Sequence, residues 1–103
     1  MYVMQISAHD PDNCPAFNET SKKAMMDTMQ QMDSLQVRHG VKLAGSWTDL
    51  GAHTIYNVYE APSADAYWAL LNEPALLGWL SFNKVENRVV VGREEVMAIL
   101  GGA

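Results

Sequence analysis

Seven consecutive residues, His9-Asp10-Pro11-Asp12-Asn13-Cys14-Pro15, carry the only cysteine of the chain, one of its three histidines, two carboxylates and two prolines. Cys14 directly precedes Pro15, and proline suits the first position of a helix, where its missing N–H is no loss. The spacing therefore predicts a thiol at the positive end of a helix dipole, where thiolate is favoured. His9 lies five residues earlier, close enough along the chain for its imidazole to reach the sulfur. Such a pair can work as nucleophile and base, or hold a small electrophile. The competing reading is structural: Cys14 is a small buried group at the helix start, and His9 hydrogen-bonds the loop.

His9, Cys14 and His53, with Asp10 or Asp12 as a fourth ligand, have the donor types of a tetrahedral zinc site. The His9-x4-Cys14 spacing is not a standard zinc spacing, and no metal is expected on that ground. Met25, Met26, Met29 and Met32 invite a soft-metal reading, but their helical spacing favours adaptable core packing. A Gly-rich phosphate loop, a nucleophile elbow and a paired-carboxylate signature are all missing.

A second set of polar residues falls on predicted strands: Gln5, Ser7, Ser46, His53, Asn57 and Arg88. Buried polar groups on strands either line a wet cavity or bond across the sheet. Trp47, Trp68 and Trp79 are expected to build the core, with one walling a pocket. Together these give a candidate site in which His9, Cys14, His53 and Asn57 act, and Gln5, Ser7, Trp47, Trp79 and Arg88 contact a ligand.

The elements that must position these residues follow from period and punctuation. Met1 to Ala8 reads as a strand with Tyr2, Met4, Ile6 and Ala8 on one face and Val3, Gln5, Ser7 and His9 on the other. The first face is apolar and suits packing against helices; the second leads toward a pocket. A helix is expected from Pro15, with Phe17, Ser21, Met25, Thr28, Met32 and Leu35 on one stripe. Arg38, His39 and Gly40 mark its end. Val41 to Thr48 and His53 to Glu60 form an antiparallel hairpin around Asp49–Ala52, with Val41, Leu43, Gly45 and Trp47 sharing a face. Ser63 caps a second helix containing Tyr67, Trp68, Leu70 and Leu71. Pro74 restarts the chain as a short helical piece over Ala75 to Leu80. Val85 to Val91 is a fourth strand, and Arg93 to Leu100 a last helix.

At 103 residues with 49% hydrophobic content, the chain is expected to be one globular domain spanning 1–103. A net charge of −5 with scattered basic residues argues against nucleic acid and anionic membranes. A small anion held by Arg88 or Arg93 is still compatible with it. One cysteine allows no intrachain disulfide, no leader-like segment opens the chain, and no apolar run nears the roughly 18 residues of a membrane span. A cytoplasmic location is expected.

The element order is β-α-β-β-α-β, the split βαβ or ferredoxin-like arrangement. With both helices on one side, the middle strands would leave apolar residues bare on the other, and a second copy is the simplest cover. In element order and length the whole chain resembles the dimeric α+β barrel superfamily, which includes small monooxygenases, muconolactone isomerases and stress-responsive barrels. The resemblance implies an α+β, ferredoxin-like fold: a four-stranded antiparallel sheet, helices on one face, and a homodimer with closed-up sheets. It also implies a ligand cavity between sheet and helices. Cofactor-free monooxygenases of that group place Asn, His and Trp around the substrate, and Asn57, His53, Trp47 and Trp79 are comparable types; no cofactor is expected. The reading that follows is a cytoplasmic homodimer binding a small, partly apolar molecule beneath the His9–Cys14 loop. Oxygenation or isomerisation would use His9 or His53 to move a proton and Asn57 to orient the substrate. The rival is a non-catalytic ligand-sensing or structural dimerisation module.

Overall fold

The structure, a computed structural model, describes residues 1–101. Strand β1 (Tyr2–Ala8) leads through a single 3-10 turn at Pro11–Asn13 into helix α1 (Glu19–His39). The hairpin β2 (Lys42–Asp49) and β3 (Thr54–Glu60) follows, then α2 (Ala64–Leu71), α3 (Pro74–Leu80), β4 (Lys84–Val90) and α4 (Arg93–Ile99). The four strands form one antiparallel sheet in the order β2-β3-β1-β4. This is the α+β, ferredoxin-like arrangement expected from element order.

Several local signals act as their chemistry predicts. Gly40 ends α1 in the left-handed region, at φ 65°, with its N–H shared between the Gln36 and Val37 carbonyls; a side chain there would be strained. Ser63 caps α2 by accepting from the Ala66 N–H, and Pro74 opens α3. The start of α1 differs from expectation. Asn18, not the Cys14-Pro15 pair, is the cap, and its side-chain oxygen accepts from the Ser21 N–H at 3.0 Å. Asparagine provides that acceptor, which proline lacks. Phe17 thus falls before the helix and is exposed, while Ser21, Thr28 and Leu35 are the buried positions of α1.

The helices cover the face of β1 that carries Val3, Gln5 and Ser7, all buried. The expectation that the Tyr2, Met4, Ile6 face lies under the helices is therefore reversed. Val3, Tyr59, Tyr67, Leu35, Leu70 and Leu76 anchor the core between the two layers. Leu70, with no exposed surface, contributes roughly 2–3 kcal/mol by burial. The molecule is only 16 Å through its shortest axis, the depth of one sheet plus one helical layer.

The open side of the sheet presents Tyr2, Met4, Ile6, Trp47, Tyr56 and Val58. A register shift between Leu43 and Gly45 explains why Trp47 is there. Leu43 packs inward against the core, but the extra residue flips the alternation, so Gly45 and Trp47 face outward. The Trp47 ring lies over Gly45: a Cβ at that glycine would meet its Cη2 at 2.5 Å. Trp47 is 63% exposed and Trp68 50% exposed, so Trp79 alone of the three tryptophans serves the core. Val96, Met97, Ile99 and Leu100, in or just after α4, are also exposed. Among the described residues no helix is long and apolar enough to cross a membrane.

Candidate functional site

Two adjoining chambers lie between the sheet and the α1–α3 layer. The inner one, about 360 Å³, is walled by Met32, Leu43, Leu76 and Leu80 and floored by Gln5 and Asn57. The outer one, about 260 Å³, lies under the Cys14–Ala16 segment and is bounded by His9, His53 and Leu50. Met25, Thr48, Ile55 and Trp79 border both. Thr48 and Ser46, exposed on β2, mark where the inner chamber opens past the helical layer. Predominantly apolar walls with a few convergent polar groups are the usual make-up of a small-molecule site.

The polar floor is one transverse row of the sheet. Register sets Gln5 opposite both Asn57 and Asn87, and Asn57 opposite Ser46. The Ser46 hydroxyl donates to Asn57 Oδ1 at 2.6 Å, and Asn57 Nδ2 donates to Gln5 Oε1 at 3.1 Å. Gln5 Nε2 then donates to the Tyr67 hydroxyl at 3.2 Å, which itself donates to Asn87 Oδ1. Four strands and α2 are thus joined by one satisfied chain, which rigidifies a buried polar group only because every member is paired. Burial raises the Tyr67 hydroxyl above its ordinary pKa; neighbouring Tyr59 adds to this, and the Gln5 hydrogen bond partly offsets it. Burial likewise pushes Tyr59 up to about 12.

The outer chamber is assembled differently. The His9 N–H donates to the His53 carbonyl at 3.2 Å, extending the β1–β3 pairing one step past both strands. The two imidazoles meet edge to face at 5.5 Å, and His9 stands in the same relation to Trp79 at 5.9 Å. His53 has φ 50°, a conformation uncommon for a residue with a Cβ and costing on the order of 1 kcal/mol. It closes the β2–β3 turn, in which Asp49 Oδ1 accepts from the Ala52 N–H. Cys14, half-buried, reaches the same place from the turn after Asn13. A donor atom from each of His9, Cys14 and His53 lies within 4.8 Å of the other two.

The state of His9 is set by its neighbours. Asn83 Nδ2 donates to the Trp79 carbonyl at 2.6 Å, so Asn83 Oδ1 faces the His9 Nδ1 at 3.3 Å and must accept. In the neutral ring Nδ1 therefore carries the proton, leaving Nε2 as a bare lone pair. His9 Nε2 and Ser7 Oγ are buried and have no hydrogen-bond partner among the described residues.

Of the residues singled out from the sequence, His9, Cys14, His53, Gln5, Asn57 and Trp79 converge on this cavity. Ser7 lies on the same face of β1 but is buried at 1% exposure and does not border either chamber. Trp47 and Arg88 do not reach it. Trp47 is on the open face, and Arg88 extends into solvent beside Glu86 at 3.3 Å. Asp10 and Asp12 are exposed and stand apart from the His–Cys group. Cys14 lies four residues before the α1 cap, so the dipole argument for its thiolate does not apply. Tyr67, Asn87, Asn83 and Thr48 were not anticipated. For Asn87 a signal existed: Glu86 and Arg88 mark the solvent face of β4, so the residue between them must point inward.

The family described as "Domain of unknown function (DUF3303)" matches residues 1–103. Among curated proteins no match is found. Among solved structures, protein Atu4242 from Agrobacterium tumefaciens superposes with a TM-score of 0.56 at 17% identity, covering 89% of this chain and 93% of that one. An uncharacterized NIPSNAP domain protein from Burkholderia xenovorans gives 0.49 at 10% identity, over 90% of this chain and 97% of that one.

Proposed function

Because the chain belongs to the DUF3303 family, whose function is unknown, we propose from its own geometry that it is a small-molecule-binding homodimer. The cavity carries this reading: apolar walls from Met25, Ile55, Leu76 and Trp79 stand over a floor of paired Gln5 and Asn57. A ligand with an apolar body and one polar end fits that division, the body against the walls and the polar end on Asn57 and Ser46. The polar end would use the hydroxyl lone pairs of Ser46 and the second Nδ2 hydrogen of Asn57, which their bonds within the row leave over. Titration with an anilinonaphthalene sulfonate, whose rings and sulfonate mimic this division, should give saturable binding with one site per chain. Thr48→Trp, which fills the border of both chambers, should weaken it at least about tenfold. Equal binding by the variant would mean that the dye sits elsewhere and would remove the reading.

The homodimer rests on the open sheet face. Tyr2, Trp47 and Tyr56 are exposed there at 40%, 63% and 38%, with Met4, Ile6 and Val58 between them, and an apolar patch of this kind marks an association surface. A cytoplasmic setting suits a free thiol. Sedimentation should report twice the chain mass, and Tyr56→Lys should halve it. A protomer that stays single at high concentration would overturn the dimer.

A second reading is favoured by one observation, the bare His9 Nε2. A cofactor-free isomerase or monooxygenase needs a base within reach of its substrate, and His9, which borders the outer chamber, is a base with its tautomer fixed and one nitrogen unpaired. Asn57 would then orient the substrate. Exchange of solvent deuterium into a bound carbon acid, lost in His9→Gln, is the expected mark of this chemistry.

A further inference from the structure

We propose that His9, Cys14 and His53 form a three-ligand site for a divalent d-block ion of the zinc class, with its fourth position turned toward the cavity. The donors come from three separate segments: the residue after β1, the turn before α1, and the end of the β2–β3 turn. Only the fold assembles them, which is why no sequence spacing announces the site. Their donor atoms lie within 4.8 Å of one another, so small side-chain rotations bring them to tetrahedral contact. Two imidazoles and a thiolate are borderline-soft ligands that suit zinc or cobalt; calcium and magnesium demand oxygen. Among the described residues no carboxylate joins the group.

Two features single this cluster out from a chance meeting of side chains. First, His9 is already prepared as a ligand. Asn83 holds its Nδ1 proton and is itself held by the Trp79 carbonyl, the arrangement that fixes tautomer and ring direction in metal-bound histidines. The nitrogen left free is Nε2, buried without a hydrogen-bond partner among the described residues, so His9 keeps a lone pair that no protein group uses. Second, three protein ligands leave a position open, and the neighbouring walls are the apolar side chains of Met25, Leu50, Ile55 and Trp79. A closed structural site would use four ligands; three with an open side is the composition of sites that bind water or substrate. Binding displaces the Cys14 proton to solvent, while His9 and His53 contribute lone pairs without losing a proton, so one proton is released per ion.

The site does not depend on the cavity ligand, and the two are separable by experiment. The full chain, free of any tag, is treated with a chelator and titrated with Co2+. One equivalent per chain should bind, giving the intense visible bands of a tetrahedral ion and a thiolate charge-transfer band in the near ultraviolet. Zn2+ should displace it stoichiometrically. Cys14→Ser should abolish the charge-transfer band, and His53→Gln should weaken the ion by at least tenfold. Asn83→Ala, which touches only the ligand's support, should weaken it by about 10- to 100-fold. Lys22→Ala, exposed on α1 and bordering neither chamber, should leave cobalt affinity unchanged. Weak binding without a defined end point, or a spectrum unaltered in Cys14→Ser with the variant folded, would overturn the proposal. A cobalt affinity that falls equally in Lys22→Ala would also do so, since the ion would then not be held by these three residues.

Discussion

The inner and outer chambers share Met25, Thr48, Ile55 and Trp79 as walls, yet they treat polar atoms in opposite ways. From the floor of the inner chamber Ser46, Asn57 and Gln5 continue through Tyr67 to Asn87 in an unbroken hydrogen-bonded row. In the outer chamber His9 has one nitrogen bonded and the other bare, and His53 is held at a positive φ. Folding favours the first arrangement, because unpaired buried groups cost free energy. It does not favour the second, so strain and an unmet lone pair together point to use rather than stability. The paired row gives the cavity its shape, and the unpaired cluster is the part left able to react.

The contrast is broken most completely at high pH. Tyr67 is a member of the paired row and Tyr59 stands beside it, their rings 5.5 Å apart, and burial raises both hydroxyls. Because the folded value for Tyr59 rises from 10.0 to about 12, the folded state binds more protons than the unfolded chain in that interval. Its stabilising contribution is whole below pH 10.0 and is lost as pH climbs toward about 12. The phenolate absorbance contributed by Tyr59 and Tyr67 should therefore appear together with loss of far-ultraviolet dichroism. Ionisation of Tyr59 and Tyr67 in a chain that keeps its dichroism would refute the account of the row.

Gln5→Leu attacks the same row without changing pH. The variant keeps apolar volume but removes an acceptor for Asn57 and a donor to Tyr67 at a site only 3% exposed. A loss of about 2–3 kcal/mol in urea denaturation is expected. A loss below about 1 kcal/mol would mean that water replaces the amide there, and the inner chamber would no longer count as fully paired.

How far these chambers were legible in the sequence depends on which signal each residue gave. Element order, the Gly40 stop, the Ser63 cap and the Pro74 restart are short-range chemistry, and they survive folding unchanged. The face of β1 was misassigned because an apolar face is equally suited to a helical layer or to the open side of a sheet. The polar Gln5 and Ser7 are on the covered side only because the covered side contains a cavity and a hydrogen-bonded row. Trp47 was misplaced by one extra residue at the bulge, and a single such shift moves every later side chain to the other face. The start of α1 was misread by assigning Pro15 as its first residue, whereas the cap is Asn18. The meeting of His9, Cys14 and His53 was expected only as a possibility, since it depends on where the β2–β3 turn folds back. Asn83, which prepares His9, gave no signal: a single polar residue between a helix and a strand reads as loop.

A reference region away from both chambers sharpens the comparison from the acid side. His39 donates to Glu73 at 2.6 Å, and Arg38 adds a second bond at 3.1 Å, joining the end of α1 to the start of α3. The His39 bond is the main reason the Glu73 carboxyl sits below its usual 4.5; partial desolvation opposes it, and Arg38 reinforces it. A depressed carboxylate stabilises the fold above its ordinary pKa, and that contribution is lost as pH falls through the folded value. The effect is modest because Arg38 is 62% exposed. In His39→Gln the acid limb of the stability curve should be shallower, with cavity binding unchanged at neutral pH. A curve identical to that of the parent would remove this tie from the account.

The smallest effect is expected where the candidate chemistry is densest. In chelator-treated protein, His9→Gln removes an atom with no partner and one 3.3 Å hydrogen bond to Asn83. A neutral bond of that length contributes about 0.5–1 kcal/mol at most, and glutamine retains a donor for Asn83. Denaturation should therefore show a change under about 1 kcal/mol, less than half the loss expected for Gln5→Leu. The same substitution should remove whatever the lone pair does, whether that is holding a metal ion or accepting a proton. Stability and reactivity would then separate along the length of one cavity. A destabilisation by His9→Gln as large as that of Gln5→Leu would instead mean that Nε2 is engaged in the folded protein, and that the outer chamber is built on the same principle as the inner one.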